Sequence, residues 1–225
     1  MGVPLKFVTS HKHLGFWLTQ DLKLDTHLDH VCRKVSSKLF LLKRMSCNLD
    51  DCCTSVKIHK SYIQPYFEYL APVIAALNVG QVNRLEKPQR RAIRIIFKYA
   101  YHRSLTTLDY EVLGLTPLQH RHNFSLLCYD YKWLNDLLPR ALIDARLHPI
   151  EGNARSNLRG RCIRIPNQPT IISRSFDRSP LNFTVKLLNR VPSLWSSPSI
   201  EAFKRSLWNM KDRSVFETQY WGACF

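Results

Sequence analysis

The 225-residue chain reads as mainly α, a helical bundle with a short N-terminal β-ribbon and a smaller C-terminal helical part. Three observations carry that expectation. Apolar residues after residue 25 recur at three- and four-residue steps, the period of a helix with one buried face. β-prone stretches are short and lie at the start, in "LKFV" and "HLGFWL", with one more at "CIRI". Prolines and Gly114 punctuate the periodic runs where helices would start or stop.

Taken in order, "LKFV" and "HLGFWL" could pair as a ribbon over residues 1–25. A helical domain follows over 26–138. In "DTHLDHVCRKVSSKLFLLKRM" the residues Leu28, Val31, Cys32, Val35, Leu39 and Leu42 share one face, with Thr26 as N-cap and Asp29 completing a short capping box. A second helix starts near "NLDDCC" and runs through Val56, His59 and Ile63 to Pro65, which must kink or end it. "EYLAPVIAAL" is again broken by a proline. In "LEKPQRRAIRIIFKYA", Leu85, Ala92, Ile93, Ile96, Phe97 and Ala100 make an apolar face. "LTTLDYEVLG" is a helix closed by Gly114. The next is capped by Thr116, with Pro117 at its first position and Phe124, Leu127, Cys128, Tyr131, Leu134 and Leu138 buried.

Residues 139–174 read as a basic hinge. Between 152 and 178 the chain holds six arginines and one acid, with Gly and Pro scattered among them. Over 175–225 a C-terminal helical segment contains "LNFTVKLLN" and "SPSIEAFKRSLWNM", the latter with Ser197 as cap and Pro198 in its first turn.

Charge is the most informative part of the composition. Lys and Arg number 33 against 17 acids, for a formal net charge of +16 and an isoelectric point near 9.8. Such an excess favours a polyanionic partner, RNA or DNA before a membrane surface, because each neutralised phosphate releases counterions. Seven unevenly placed cysteines and a start without an apolar core point to an intracellular protein, in nucleus or cytoplasm, with reduced thiols. The longest nearly apolar run is far too short to span a bilayer, so no membrane partner is expected.

The residues expected to meet nucleic acid are Lys87, Arg90, Arg91, Arg94 and Lys98, which line a second face of the 85–100 helix, and Arg159, Arg161 and Arg164 of the hinge. A basic helix face is often only a solvated one. Here acids do not balance it. Elsewhere the chemistry is sparse. Cys47, Cys52, Cys53 and His59 lack the paired spacing of a structural zinc site, and no metal or cofactor is expected. His11 and His13 share a strand face, and His120 and His122 fall in a long helix, without an acid–base partner in view. Asp50-Asp51 opens a predicted helix, where a carboxylate caps free N–H groups. No catalytic residue is assigned.

"HLGFWLTQDLKLDTHLDHVCRKVSSKLFLLKRM" resembles the junction of palm and thumb in reverse transcriptases of non-LTR (LINE-type, Jockey-like) retrotransposons, where a Leu-Gly strand precedes a helix with an H-x-x-x-V-x-x-K rhythm. "KSYIQPYFEYLAPV", "LEKPQRRAIRII", "LGLTPLQHRHNFSLLCYDYKWLN" and "LLNRVP…SPSIEAFKRSL" resemble, in the same order, the segments that follow there. The resemblance runs from Leu14 to Leu207. Pro88 departs from it, standing where the family carries an aliphatic residue, so the helix is expected to begin or bend there. Leu188 stands in place of a Trp.

The resemblance implies that residues 1–25 are the end of a palm, that 26–138 are thumb-like, and that a template–primer duplex is gripped on the basic faces. It also implies that the aromatic-x-Asp-Asp turn, which holds the catalytic metal ions, belongs upstream of Leu14-Gly15. Only 13 residues precede Leu14, none of them acidic, so the chain is expected to be a non-catalytic C-terminal part of an RNA-directed DNA polymerase, inactive without a palm and fingers region supplied elsewhere. A helical protein-interaction module and a non-functional remnant of a decayed element remain as alternatives.

Overall fold

The computed structural model describes residues 7–21, 23–48, 51–69, 71, 77–141, 150–152, 162–164, 189, 194 and 197–209. These are mainly helical, with a short two-stranded sheet at the start. The chain divides into two compact units, one of residues 1–69, 79–116 and 225, the other of residues 70–78 and 117–224. The division between Thr116 and Pro117 falls inside the span 26–138.

The first unit opens with strands β1 (Ser10–His13) and β2 (Phe16–Thr19), antiparallel and in register from Ser10–Thr19 to His13–Phe16. Of "LKFV", Leu5 and Lys6 lie outside the described residues and Phe7 and Val8 are in no strand; the described pairing begins at Ser10. Leu14 and Gly15 make the turn, with φ of 47° and 86°. Positive φ at both corners is the type I′ geometry that suits the strand twist, and Gly15 takes it without strain. The Tyr69 hydroxyl donates to the Leu14 carbonyl, which ties the turn to the helical part.

Helix α1 (Asp25–Cys47) starts one residue before the expected cap. Thr26 is not the N-cap. Leu24 holds that position and its carbonyl accepts from the Leu28 N–H at 2.9 Å. Asp29 completes no capping box; it pairs with Arg84, which also meets Asp25 at 3.2 Å. Leu28, Val31, Val35, Leu39 and Leu42 are buried as the period required, and Cys32 is half-buried.

Helix α2 (Cys52–Ile58) leads through a π-helical turn, His59–Ile63, into α3 (Gln64–Glu68). Pro65 has no N–H to offer the carbonyl four residues back, and its ring crowds that group. The chain answers by widening the turn just ahead of it, the Gln64 N–H reaching back to the His59 carbonyl. Tyr69 is then extended and ends the run. Most of "EYLAPVIAAL" lies outside the described residues.

Helix α4 (Val79–Ile96) packs against α1. Pro88 is inside it and does not begin it; the helix starts nine residues earlier, at Val79. The proline frees the Arg84 carbonyl from its usual intrahelical partner, and the Cys32 thiol of α1 donates to that oxygen at 3.7 Å. Burial raises the Cys32 pKa, which keeps it a thiol able to donate. Leu85, Ala92, Ile93 and Ile96 are buried, whereas Phe97 is only half-buried and Ala100 exposed, because the helix has ended. Helix α5 (Thr107–Val112) has the full capping box of Thr106 and Asp109 and closes at Gly114, at φ 57°. A Cβ there would also sit 3.3 Å from the Lys60 ammonium.

The second unit contains α6 (Leu118–Leu134), strands β3 (Ile150–Gly152) and β4 (Cys162–Arg164), and α7 (Ile200–Trp208). Pro117 is the N-cap of α6, not its first residue, and Thr116 makes no capping bond. Leu127, Cys128 and Tyr131 are buried and Phe124, Leu134 and Leu138 half-buried, but His122, Asn123 and Asp130 are buried as well. The expected strand at "CIRI" forms and pairs antiparallel with Ile150–Gly152, so the hinge holds a ribbon. On α7 the cap is Ser199, which accepts from the Ala202 N–H at 3.2 Å, not Ser197, whose hydroxyl turns to the Leu194 carbonyl. Phe203 stacks on Tyr131 at 4.5 Å between ring centres, and Trp208 meets Phe124 edge-on. "LNFTVKLLN" lies outside the described residues apart from Asn189.

Candidate nucleic-acid interface

The five basic residues expected on one helix face do not end up equivalent. Lys87 and Arg91 are exposed on α4. Arg90 is half-buried, and its charge opposes the strong upward push on the Tyr110 phenol's pKa from burial and from Glu86. Tyr110 in turn donates to the buried Glu86 at 2.8 Å, and Gln89 donates to the Thr116 carbonyl at 3.0 Å. This polar set lies under the helix and joins α4 to α5. Arg90 therefore belongs to the packing of the unit, and the sequence could not say so.

Lys98 is not on the helix. Ile96 is the last helical residue, and Lys98 sits beyond it at φ 56°. The Tyr99 N–H reaches the Arg94 carbonyl at 2.8 Å and the Lys98 N–H reaches the Ile95 carbonyl at 3.2 Å. These are the two bonds of a Schellman cap, with lysine at the position glycine usually fills. Its side chain is exposed at the negative end of the helix dipole.

Arg94 holds the segment that follows. Its Nε donates to the Arg103 carbonyl at 2.9 Å while its own carbonyl receives Tyr99, so one residue clasps both ends of 99–103. The Arg103 N–H closes a turn onto the Ala100 carbonyl at 3.1 Å. Tyr99 stacks on Phe97 at 4.8 Å, lies 3.6 Å from the Arg103 guanidinium carbon, and donates from its hydroxyl to Asp109 at 3.2 Å. At the corner of the turn Tyr101 is 80% exposed, beside Arg94 at 6.0 Å. His102 and Arg103 are exposed too. Sequence reading passed over these residues, although "KYAYHR" sets two tyrosines between Lys98 and Arg103, and single-stranded nucleic acid is held by cations together with aromatic rings.

The ion pairs among the described residues join Lys23 to Asp21 and Arg84 to Asp25 and Asp29, and none of them engages Lys87, Arg91 or Lys98. In the second unit, Arg164 ends β4 opposite Ile150. Arg159 and Arg161 lie outside the described residues.

Asp50 also lies outside them. Asp51 caps α2: its carboxylate accepts from the Cys53 N–H at 2.8 Å and from the Thr54 N–H and hydroxyl at 3.1 and 3.0 Å. Those bonds, that from Cys53 first, hold its pKa below the usual carboxylate range. The loose set Cys47, Cys52, Cys53 and His59 does not converge as a ligand group, since His59 is buried and Cys47 stands apart. Among the described residues, the side chains near enough to share an ion are Asp51, Cys52 and Cys53, all exposed. Asp51 is engaged by the cap, and its hydrogen bond with Cys53 raises the Cys53 pKa. Among the described residues, no helix is long and apolar enough to cross a membrane.

No family model matches this chain, and no curated protein or solved structure matches it either.

Proposed function

We propose that the chain binds nucleic acid through the exposed basic end of α4 as the thumb and post-thumb part of a non-LTR retrotransposon reverse transcriptase. The observation that supports binding is that Lys87, Arg91 and Lys98 are exposed and outside every ion pair among the described residues, in a chain of net charge +16. The assignment to that polymerase rests on the ordered motifs from Leu14 to Leu207 alone. On this reading the chain grips phosphates and does no chemistry on them. Asp51 is a helix cap, and nucleotide addition is left to carboxylates of a palm. Phosphate contacts of this kind set position without reading sequence.

Binding to a DNA duplex should be sequence-blind, with Kd of about 10⁻⁴–10⁻⁶ M at physiological salt, and should weaken steeply as salt rises. Changing Lys87, Arg91 and Lys98 together to Gln should leave the thermal transition in place. It should flatten the slope of log K against log salt by about 0.9 for each phosphate no longer neutralised. A triple variant that melts like the parent and keeps its slope would remove α4 from the interface. Tighter, salt-sensitive capture of an acidic polypeptide than of any nucleic acid would favour a protein-interaction module instead.

A further inference from the structure

The phosphate-binding reading leaves Tyr101 unexplained. Its ring is 80% exposed and lies 6.0 Å from the Arg94 guanidinium carbon, so most of its face is open to a partner. It is also not on a loose tether. The turn that carries it is closed by the Arg103 N–H on the Ala100 carbonyl at 3.1 Å, and fastened to α4 by the Arg94 side chain on the Arg103 carbonyl at 2.9 Å. Beneath it, Tyr99 is fixed by Phe97, Arg103 and Asp109. The ring is thus presented on a braced support, three residues after Lys98 and two before Arg103 in the chain, and both of these are exposed, as is Arg91 on α4.

We infer that Tyr101 is a stacking platform for an unpaired nucleobase, and that the occupant of this surface is a single-stranded stretch of nucleic acid. The inference rests on the phosphate-binding reading above and adds the kind of strand. A phosphate chain would lie along Arg91, Lys98 and Arg103, whose charge complements it. One base would then turn onto the Tyr101 ring. Bases inside a duplex have both faces covered by their neighbours and offer nothing to such a ring. An acidic peptide would satisfy the cations but leave the tyrosine in water. Stacking of this sort tolerates any base, because every base has a π-face.

The test uses the full chain and four probes: a short oligothymidylate, an abasic strand of the same length, a blunt DNA duplex and polyglutamate. The oligothymidylate should bind about 5- to 150-fold more tightly than the abasic strand, the range one stacked base supplies. Tyr101→Leu should abolish that ratio, and its thermal melt should match the parent because the side chain lies outside the core. Tyr101→Trp should restore the ratio and add a fluorescence quench on binding. Changing Lys87 and Arg91 to Gln should weaken both strands together and leave the ratio alone.

Equal binding of abasic and base-bearing strands by the parent, with the duplex also bound, would overturn the stacking inference and leave the phosphate reading standing. A ratio that survives Tyr101→Leu would overturn it as well. Polyglutamate bound as tightly as oligothymidylate would replace the nucleic acid with a protein partner. Failure of every probe would sink both readings.

Discussion

Helix α4 has 18 residues and α6 has 17, yet they meet their surroundings in opposite ways. Helix α4 buries one side, with Leu85, Ala92, Ile93 and Ile96, and leaves Lys87 and Arg91 in water. Helix α6 buries residues around most of its circumference, and His122, Asn123 and Asp130 are among them. A one-sided helix has a free face with which to meet a partner. A helix enclosed on most sides has little, and its polar groups serve the interior. Lys87 and Arg91 on α4 can therefore be read as surface chemistry, while the histidines of α6 cannot be read as an acid–base pair from spacing alone.

The largest effect should come from the apolar positions the two helices share in kind. Ile93→Ala and Leu127→Ala each empty a site at 0% exposure, and each should lower stability by about 2–5 kcal/mol in denaturant titrations. A cost under about 1 kcal/mol at either site would mean that the helix is not enclosed as described.

The contrast itself is tested by polar-to-apolar changes. Asn123→Leu, at 0% exposure on α6, should cost about 1–3 kcal/mol, whereas Lys87→Leu on α4 should stay within about 0.5 kcal/mol. Equal costs would erase the distinction between the two helices.

A smaller effect belongs to Asp109, which caps α5 and receives the Tyr99 hydroxyl. Asp109→Ala should cost about 1 kcal/mol. Its carboxyl is held below the usual range, chiefly by the Thr106 N–H. The folded protein therefore takes up this proton less readily than the unfolded chain. The stabilisation is complete above the ordinary aspartate pKa of about 3.9 and is lost as pH falls through the lower folded value. Stability measured down the acid limb should fall less steeply in Asp109→Asn, and an unchanged slope would show that this carboxylate is not the group being protonated.

Legibility followed the physics of each signal. The buried face of α1 was plain because Leu28, Val31, Val35, Leu39 and Leu42 keep helical spacing over many turns. The closing glycine at Gly114 was equally open to reading, since few residues tolerate positive φ, whereas the turn at Leu14-Gly15 was hidden inside "HLGFWL", which reads as one strand. Caps were harder. Thr26, Thr116 and Ser197 each stood one or two residues from the true start, where several residues could cap and packing decides which does.

As a helix start Pro88 misled for a different reason: the carbonyl it leaves free is met by the Cys32 thiol of another helix, 56 residues from the proline in sequence, and no local pattern carries that. The candidate site divided along the same line. Lys87 and Arg91 were visible as an unbalanced stripe. The half-burial of Arg90, the tethering of Arg94, the turn that lifts Lys98 off the helix and the exposure of Tyr101 all depend on where the chain folds back after Ile96.

The wide turn at His59–Ile63 has a geometric consequence for everything downstream of it. Ser55, His59, Ile63 and Phe67 are buried, each four residues after the last. Four residues overshoot a 3.6-residue turn by about 40°, so three such steps in an unbroken α-helix would carry the last side chain about 120° around the axis. The wider loop takes back part of that rotation, and Phe67, at 0% exposure, is buried as Ser55 is. The segment acts as a phase corrector. Removing one residue from it would leave the composition almost unchanged and turn the aromatic anchor toward the solvent.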